Sequence, residues 1–306
     1  MKAHILNSYG RDSLSLGEAG ELTVMTGQVK VAVEAIGINP LDWKISNGFL
    51  SDMIPIPLPA VIGTDIAGTV VEIGDGVQNF SIGDKVVGFA DSGAFAQYAV
   101  TRAARITAIP DGLTAKQAVT LATSAETSLR GLSLLTLEPA STVVVNGAAG
   151  AVGSAVVQIL VADGHTVIGT ASAENHEYVR SLGATPVTYG DAMLEEITGF
   201  APQGIDAAFD TAGHEFIARL SALVPASRIV TIVDFAAAAQ GAIVAGGDPT
   251  ALTAETIPPV LELAAQGGFR TEIAQLFAFD QVPQALALSQ SGHLRGKIVV
   301  LGANQN

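Results

Sequence analysis

Three glycines at intervals of three, Gly147, Gly150 and Gly153, follow the β-branched run Val143, Val144 and Val145. Glycine has no Cβ, so such a turn can close backbone amides around a diphosphate. Gly147 permits a tight turn, Gly150 a close approach of the backbone, and Gly153 close packing of the helix that follows. A helix expected from residue 151 to about 160 then turns free N-terminal amides toward the phosphates. The alternative is a plain glycine- and alanine-rich turn, because Ala148 stands in the first place of the G-x-G-x-x-G pattern. Metal chemistry finds no comparable support. There is no cysteine, and His4, His165, His176, His214 and His293 are scattered without ligand spacing.

Positioning that loop requires a particular order of elements. Residues 143–145 show no polar alternation, as in a parallel strand covered on both faces. A second strand, residues 165–170, follows at the distance of a βαβ unit, and the alternation continues through a helix at 191–200 and strands at 206–210 and 228–233. The first 110 residues read differently. Strands at 28–35, 68–73, 84–89 and 94–100 are separated by Gly, Pro and Asp, the pattern of an irregular β-barrel or sandwich, and Pro55, Pro57 and Pro59 exclude helix between them. Residues 114–137 carry helical periodicity behind Thr114 as N-cap. The small-residue stretch 236–247 reads as a mobile loop or a subunit contact. After Phe269 a strand, a helix near 282–290 and a last strand at 297–301 return to the barrel texture. The predicted fold class is α/β, a doubly wound parallel sheet over residues 114–261 plus an irregular β-barrel-like domain over 1–113, completed by 262–306.

Composition bounds the partners. A chain of 306 residues with 49% hydrophobic and 14% charged residues suits a compact enzyme of two domains. A net charge of −14 disfavours nucleic acid or an anionic membrane surface as partner. The N-terminus lacks the apolar core of a signal peptide and no run reaches the length of a membrane span, so a cytoplasmic location is expected.

Six segments in order resemble the zinc-free quinone oxidoreductase branch, the zeta-crystallin-like group, of the medium-chain dehydrogenase/reductase superfamily. They are 37–44 (with Gly37, Asn39, Pro40, Asp42 and Lys44), 59–68 (with Gly63, Asp65 and Gly68), 80–86, the glycine loop, 210–213, and 292–299. The resemblance implies a GroES-like catalytic domain, a Rossmann domain, a cleft where a nicotinamide meets substrate, and a homodimer. The positions that match zinc ligands in metal-dependent members are not ligands here, so no metal is expected. Without a Lewis acid, acceptors that spread the arriving charge over a conjugated system are the expected substrates.

By resemblance, Asn39, Asp42, Lys44 and Thr127 are the catalytic candidates. Asn39 would orient the acceptor carbonyl or its water, Asp42 and Lys44 would form a charged pair framing the site, and the Thr127 hydroxyl would approach the nicotinamide. The residues alone also allow a turn at Asn39, a surface pair at Asp42 and Lys44, and a helix threonine bonded to its own backbone. Glu126 departs from the family; it is expected to be a solvated helix carboxylate, or, if buried, a proton donor. The remaining cofactor contacts implied are Gly147, Gly150, Ala151 and Val152 at the pyrophosphate, Thr211 and Gly213 by the ribose, Val233 and Phe235 near the carboxamide, and residues 295–297, including Arg295 and Lys297, returning to the cleft. Residues 47–54 and 235–248 are the expected pocket walls, with Phe49, Leu50 and Phe235 their apolar members.

NAD-specific sites end the second strand on an Asp or Glu that bonds the ribose 2′-hydroxyl. Here Ala171 and Ser172 leave room for a 2′-phosphate, with Ser172, Asn175, Arg180 and Tyr189 as donors, although Ala173 and Glu174 replace the basic residue of related sequences. NADPH is expected ahead of NADH. The function expected is hydride transfer to a small electrophilic acceptor, a quinone or enone. The alternatives are an enoyl-thioester reductase of the same fold and a catalytically silent NADP(H)-binding redox sensor.

Overall fold

In the computed structural model, which describes residues 1–10, 13–246 and 248–304, the alternating stretch near position 30 is strand Gln28–Ile38. Val29, Val31 and Val33 are fully buried while the residues between them are half-buried, as a one-sided strand requires. Asp65–Ile73 pairs antiparallel along one edge of this strand. The other edge is shared: Tyr98–Arg102 pairs with its first half and Lys297–Leu301 with its last four residues. The sheet continues through Lys85–Phe89 to Ile106–Ala108 on one side and to Ile273–Phe277 on the other, so the C-terminal strands are built into the N-terminal sheet. A smaller sheet joins Leu14–Glu18, Lys2–Leu6 and Ala60–Val61.

Two compact units result, Met1–Thr123 with Pro249–Asn306, and Ser124–Asp248. The borders therefore lie away from the expected positions 113 and 261. Helix Ala115–Val119 packs on the Gln28–Ile38 and Asp65–Ile73 strands, which keeps it in the first unit. At the return, the buried Arg105 donates to the carbonyls of Pro249 and Thr250 at 2.9 and 2.5 Å, which fixes the chain to the first unit well before residue 262. Two expected elements also change. The helical stretch 114–137 becomes Ala115–Val119, capped by Thr114 through Gln117, and a second helix, Ala122–Leu132. Of the expected strand 94–100 only the part from Tyr98 is regular, because Ala94 and Phe95 turn their amides to Ile62 and fill the core.

The second unit is a six-stranded parallel sheet. Its order is Thr185–Thr188, Thr166–Ala171, Thr142–Asn146, Ala207–Asp210, Ile229–Thr231 and Ile243–Val244. Counted along the chain this is third, second, first, fourth, fifth, sixth, the doubly wound order whose direction reverses beside the first strand. Val143 and Val145 pack into one layer with Val156, Val157 and Leu160, and Val144 into the other with Ile197, Ile217 and Leu220. Burial on both faces is why that strand has no polar alternation. The small-residue stretch is neither a free loop nor an unpaired segment over its described part: Phe235–Gln240 is a 3₁₀ helix capped by Asp234, and Ile243–Val244 is the sixth strand. Gly247 lies outside the described residues. Among the described residues, no helix is long and apolar enough to cross a membrane.

Candidate active site

In the second unit, strand Thr142–Asn146 runs into the glycine loop and helix Ala151–Ala162 starts at Gly150. Gly147 has φ +76°, and a Cβ there would lie 2.7 Å from Thr211 Oγ1. A Cβ on Gly153 would lie 2.1 Å from the Gly147 carbonyl oxygen, so only glycine lets the helix begin against its own loop. Gly150 caps the helix without a side-chain hydrogen bond, and the amides of Ala151, Val152 and Gly153 have no carbonyl one turn back. These amides form a cradle with the polarity of a phosphate site.

Neighbouring strand ends pin the cradle. Asn146 accepts from Thr170 Oγ1 at 2.6 Å and donates to Asp210 Oδ1 at 2.7 Å and to the Gly213 carbonyl at 3.1 Å. Thr211 Oγ1 donates to the Asn146 carbonyl at 2.6 Å. The fully buried Asp210 also accepts from the amides of Ala212 and Gly213 and from Thr231 Oγ1. Thr211 and Gly213 thus stand beside the glycine loop, held by Asn146, Thr170, Asp210 and Thr231. None of these four is among the candidate site residues named from the sequence; polar residues ending apolar parallel strands are the signal that marks them. At the end of strand Thr166–Ala171, Asn175 donates to Ser172 Oγ at 2.9 Å, with Arg180 and Tyr189 exposed nearby in the chain. Val233 donates its amide to Thr231 Oγ1, and Phe235 is 48% exposed.

Thr127 sits in helix Ala122–Leu132, where its hydroxyl donates to Glu126 Oε2 at 3.1 Å. Glu126 is 7% exposed, contrary to the expected solvated carboxylate. Arg130, one turn along, bonds both of its oxygens, at 2.7 and 3.3 Å, and donates to the Ala245 carbonyl. The Glu126 and Arg130 pair thus ties Thr127 to Ala245, the residue that follows strand Ile243–Val244. The i,i+4 spacing of Glu126 and Arg130 was legible, but their burial was not.

In the first unit, a second group of polar residues is assembled by strand register. Gly37 lies opposite Asp65, and Ile38 opposite Ile298, so the next step places Asn39 across from Lys297. Lys297 is 4% exposed; its Nζ donates to Asn39 Oδ1 and to Asp65 Oδ2, the latter at 2.9 Å. Thr123 Oγ1 donates to the other Asp65 oxygen at 2.5 Å. Gly37 leaves the space for this pair, since a Cβ there would lie 3.0 Å from Lys297 Cε and 3.1 Å from Asp65 Cβ. Helix Pro40–Ser46 starts at Asn39, whose N–H donates to Asp42 Oδ2 at 2.7 Å. Burial pushes the Asp42 carboxyl up to about 7; the Asn39 N–H opposes this, Asp65 adds to it and Lys297 opposes it.

One expectation is corrected here. Asp42 and Lys44 do not form a charged pair: two residues apart on a helix they point away from each other, Asp42 into the capping hydrogen bond and Lys44 over the Trp43 ring at 5.7 Å. The Lys297 ammonium is drawn inward by a carboxylate and an amide oxygen. Arg295 is half-exposed and paired with Glu272 at 2.7 Å. Phe49 is 67% exposed with its ring perpendicular to that of Trp43, and Leu50 is half-buried.

Residues 25–111 match the alcohol dehydrogenase GroES-like domain model, and residues 182–300 match the zinc-binding dehydrogenase model. The chain belongs to the medium-chain dehydrogenase/reductase superfamily and is similar to its quinone oxidoreductase-like members. It is 29% identical to a chloroplastic quinone oxidoreductase of Triphysaria versicolor, over 90% of this chain and 89% of that one. It is 33% identical to a trans-enoyl reductase of Aspergillus japonicus, over 57% of this chain, and spans only 55% of that relative's length. Its fold matches the structure of a quinone oxidoreductase from Coxiella burnetii with TM-score 0.88 and 27% identity, over 98% of this chain and 99% of that one. The donor set does not fit the zinc in the name of the second model. There is no cysteine, the described residues hold no group of three His, Asp or Glu side chains placed to ligate an ion, and Asn39 and Asp65 already turn their oxygens onto an ammonium.

Proposed function

We propose that this chain is an NADPH-dependent, metal-independent reductase of quinones, enones or similar activated acceptors. The observation that carries the reading is the buried Asn39, Asp65 and Lys297 cluster, in which a lysine ammonium stands among the oxygens that a metal would need. The glycine cradle fits a dinucleotide diphosphate through Ala151 and Val152, with Thr211 and Gly213 beside it. The absence of a carboxylate at Ala171 and Ser172 supports a 2′-phosphate, with Ser172, Asn175, Arg180 and Tyr189 as its donors. When bound, the reduced nicotinamide supplies a hydride. When these groups are bound, Thr127, clamped by Glu126 and Arg130 in the second unit, would hold the ring, and Asn39 in the first unit would donate to the oxygen on which charge collects. Alignment and fixed dipoles are the protein's share of the work.

The resemblance to a trans-enoyl reductase favours a second reading within the same chemistry, reduction of an enoyl thioester. A cytoplasmic homodimer is part of the proposal; sedimentation tests the dimer and cell fractionation the location. Steady-state oxidation of NADPH and NADH with a panel of quinones, enones and one enoyl thioester tests the function. Turnover with NADPH and the first two classes is expected. Tight NADPH binding without turnover on any acceptor would instead make the chain a redox sensor.

A further inference from the structure

An ammonium has three hydrogens and no lone pair, so of the two ends of the Asn39 carboxamide only the oxygen can face Lys297. That contact fixes the rotation of the amide about its last bond. Nδ2 is turned away, it has no partner among the described residues, and it is not among the sealed polar atoms. Everything around the pair holds this orientation. Asp65 takes a second Lys297 hydrogen, Thr123 holds Asp65, Gly37 leaves room for the lysine stem, and Asp42 ties down the Asn39 backbone. A charged donor on Oδ1 also polarises the amide, which strengthens Nδ2–H as a donor.

We propose that Lys297 is a positioning residue that presents Asn39 as a one-way hydrogen-bond donor, so that the site receives an oxygen gaining negative charge and not a hydroxyl about to lose its proton. This rests on the hydride-transfer reading above and narrows its substrate class. In that reaction the hydride, with its electron pair, forms a C–H bond to an acceptor carbon; the π pair moves through the conjugated system to oxygen, and a proton from solvent completes the reduced product. NADPH is oxidised and the acceptor reduced by two electrons. Oxidation of a simple alcohol would need an acceptor for the hydroxyl proton, and a locked amide offers none.

Asn39→Asp is the deciding variant. It is isosteric and keeps an oxygen for Lys297, but replaces the outward donor with an acceptor. Its kcat for enone or quinone reduction should fall about 100-fold, the usual effect of losing one oxyanion donor, with NADPH affinity and melting temperature nearly unchanged. A loss smaller than about threefold would overturn the proposal. A readout independent of turnover uses p-nitrophenolate as a non-reducible oxyanion in the NADP⁺ complex of isotope-labelled protein. The Asn39 side-chain amide signal, identified by its loss in Asn39→Asp, should shift on adding the phenolate, and Lys297→Met should abolish the shift. An unmoved signal, or a shift that survives in Lys297→Met, would refute the positioning role. Should Lys297→Met fail to fold, Asn39→Asp and the wild-type shift decide. If the wild type reduces no acceptor, the proposed function fails while the phenolate experiment still judges Lys297.

Discussion

Replacing Asp42 with asparagine should remove a pH dependence from the stability of the first unit. Asp42 is 1% exposed, its Oδ2 accepts the Asn39 N–H, and its Oδ1 has no partner. Burial is the largest cause that raises its pKa from 3.8 to about 7. Between those two values the folded chain holds a proton that the unfolded chain has released, so the unfolded state binds fewer protons and stability falls as pH rises. The fall is complete above about pH 7 and amounts to about 4 kcal/mol at about 1.4 kcal/mol per pH unit. Asparagine keeps an oxygen for the Asn39 N–H and does not titrate. Urea denaturation of both proteins at about pH 5 and about pH 8 isolates the effect, since other titrating groups cancel in the difference. The variant should gain about 3 kcal/mol on the wild type between the two conditions. A difference that stays constant within about 0.5 kcal/mol would refute the argument that desolvation governs this carboxyl.

Gly153→Ala places a methyl group 2.1 Å from the Gly147 carbonyl oxygen and must push the loop and helix apart; NADPH affinity, measured by fluorescence titration, should fall tenfold or more, and unchanged affinity would remove the diphosphate from this loop. Ser172→Asp restores a carboxylate where NAD-specific sites carry one, so the ratio of kcat/KM for NADH over NADPH should rise about tenfold or more. An unaltered ratio would place the 2′ group elsewhere.

The glycine loop was readable because its chemistry is local. Three missing Cβ atoms within seven residues, behind a run of valines, specify a turn and a helix start whatever the rest of the chain does. The parallel sheet was readable for a similar reason: a strand buried on both faces leaves an unbroken apolar run. The short strand at 94–100 and the helix at 114–137 were misjudged because apolar residues that fill a core through irregular backbone look like residues of a regular element. Glu126 and Arg130 had a visible spacing, but whether a helix face meets water or protein is not a property of the helix.

By itself the sequence determined the glycine turn, the alternation of strand and helix behind it and the lack of cysteine ligands, all consequences of residue type at short range. Only the tertiary structure brings Asn39 and Lys297 together. They are 258 residues apart in the chain and meet because the last strand pairs antiparallel with Gln28–Ile38, one step beyond the Ile38 and Ile298 pair. Side-chain pairing across a sheet depends on register, and a shift of one residue would turn the lysine to the opposite face. No local pattern of spacing or composition carries that register, which the whole buried core sets.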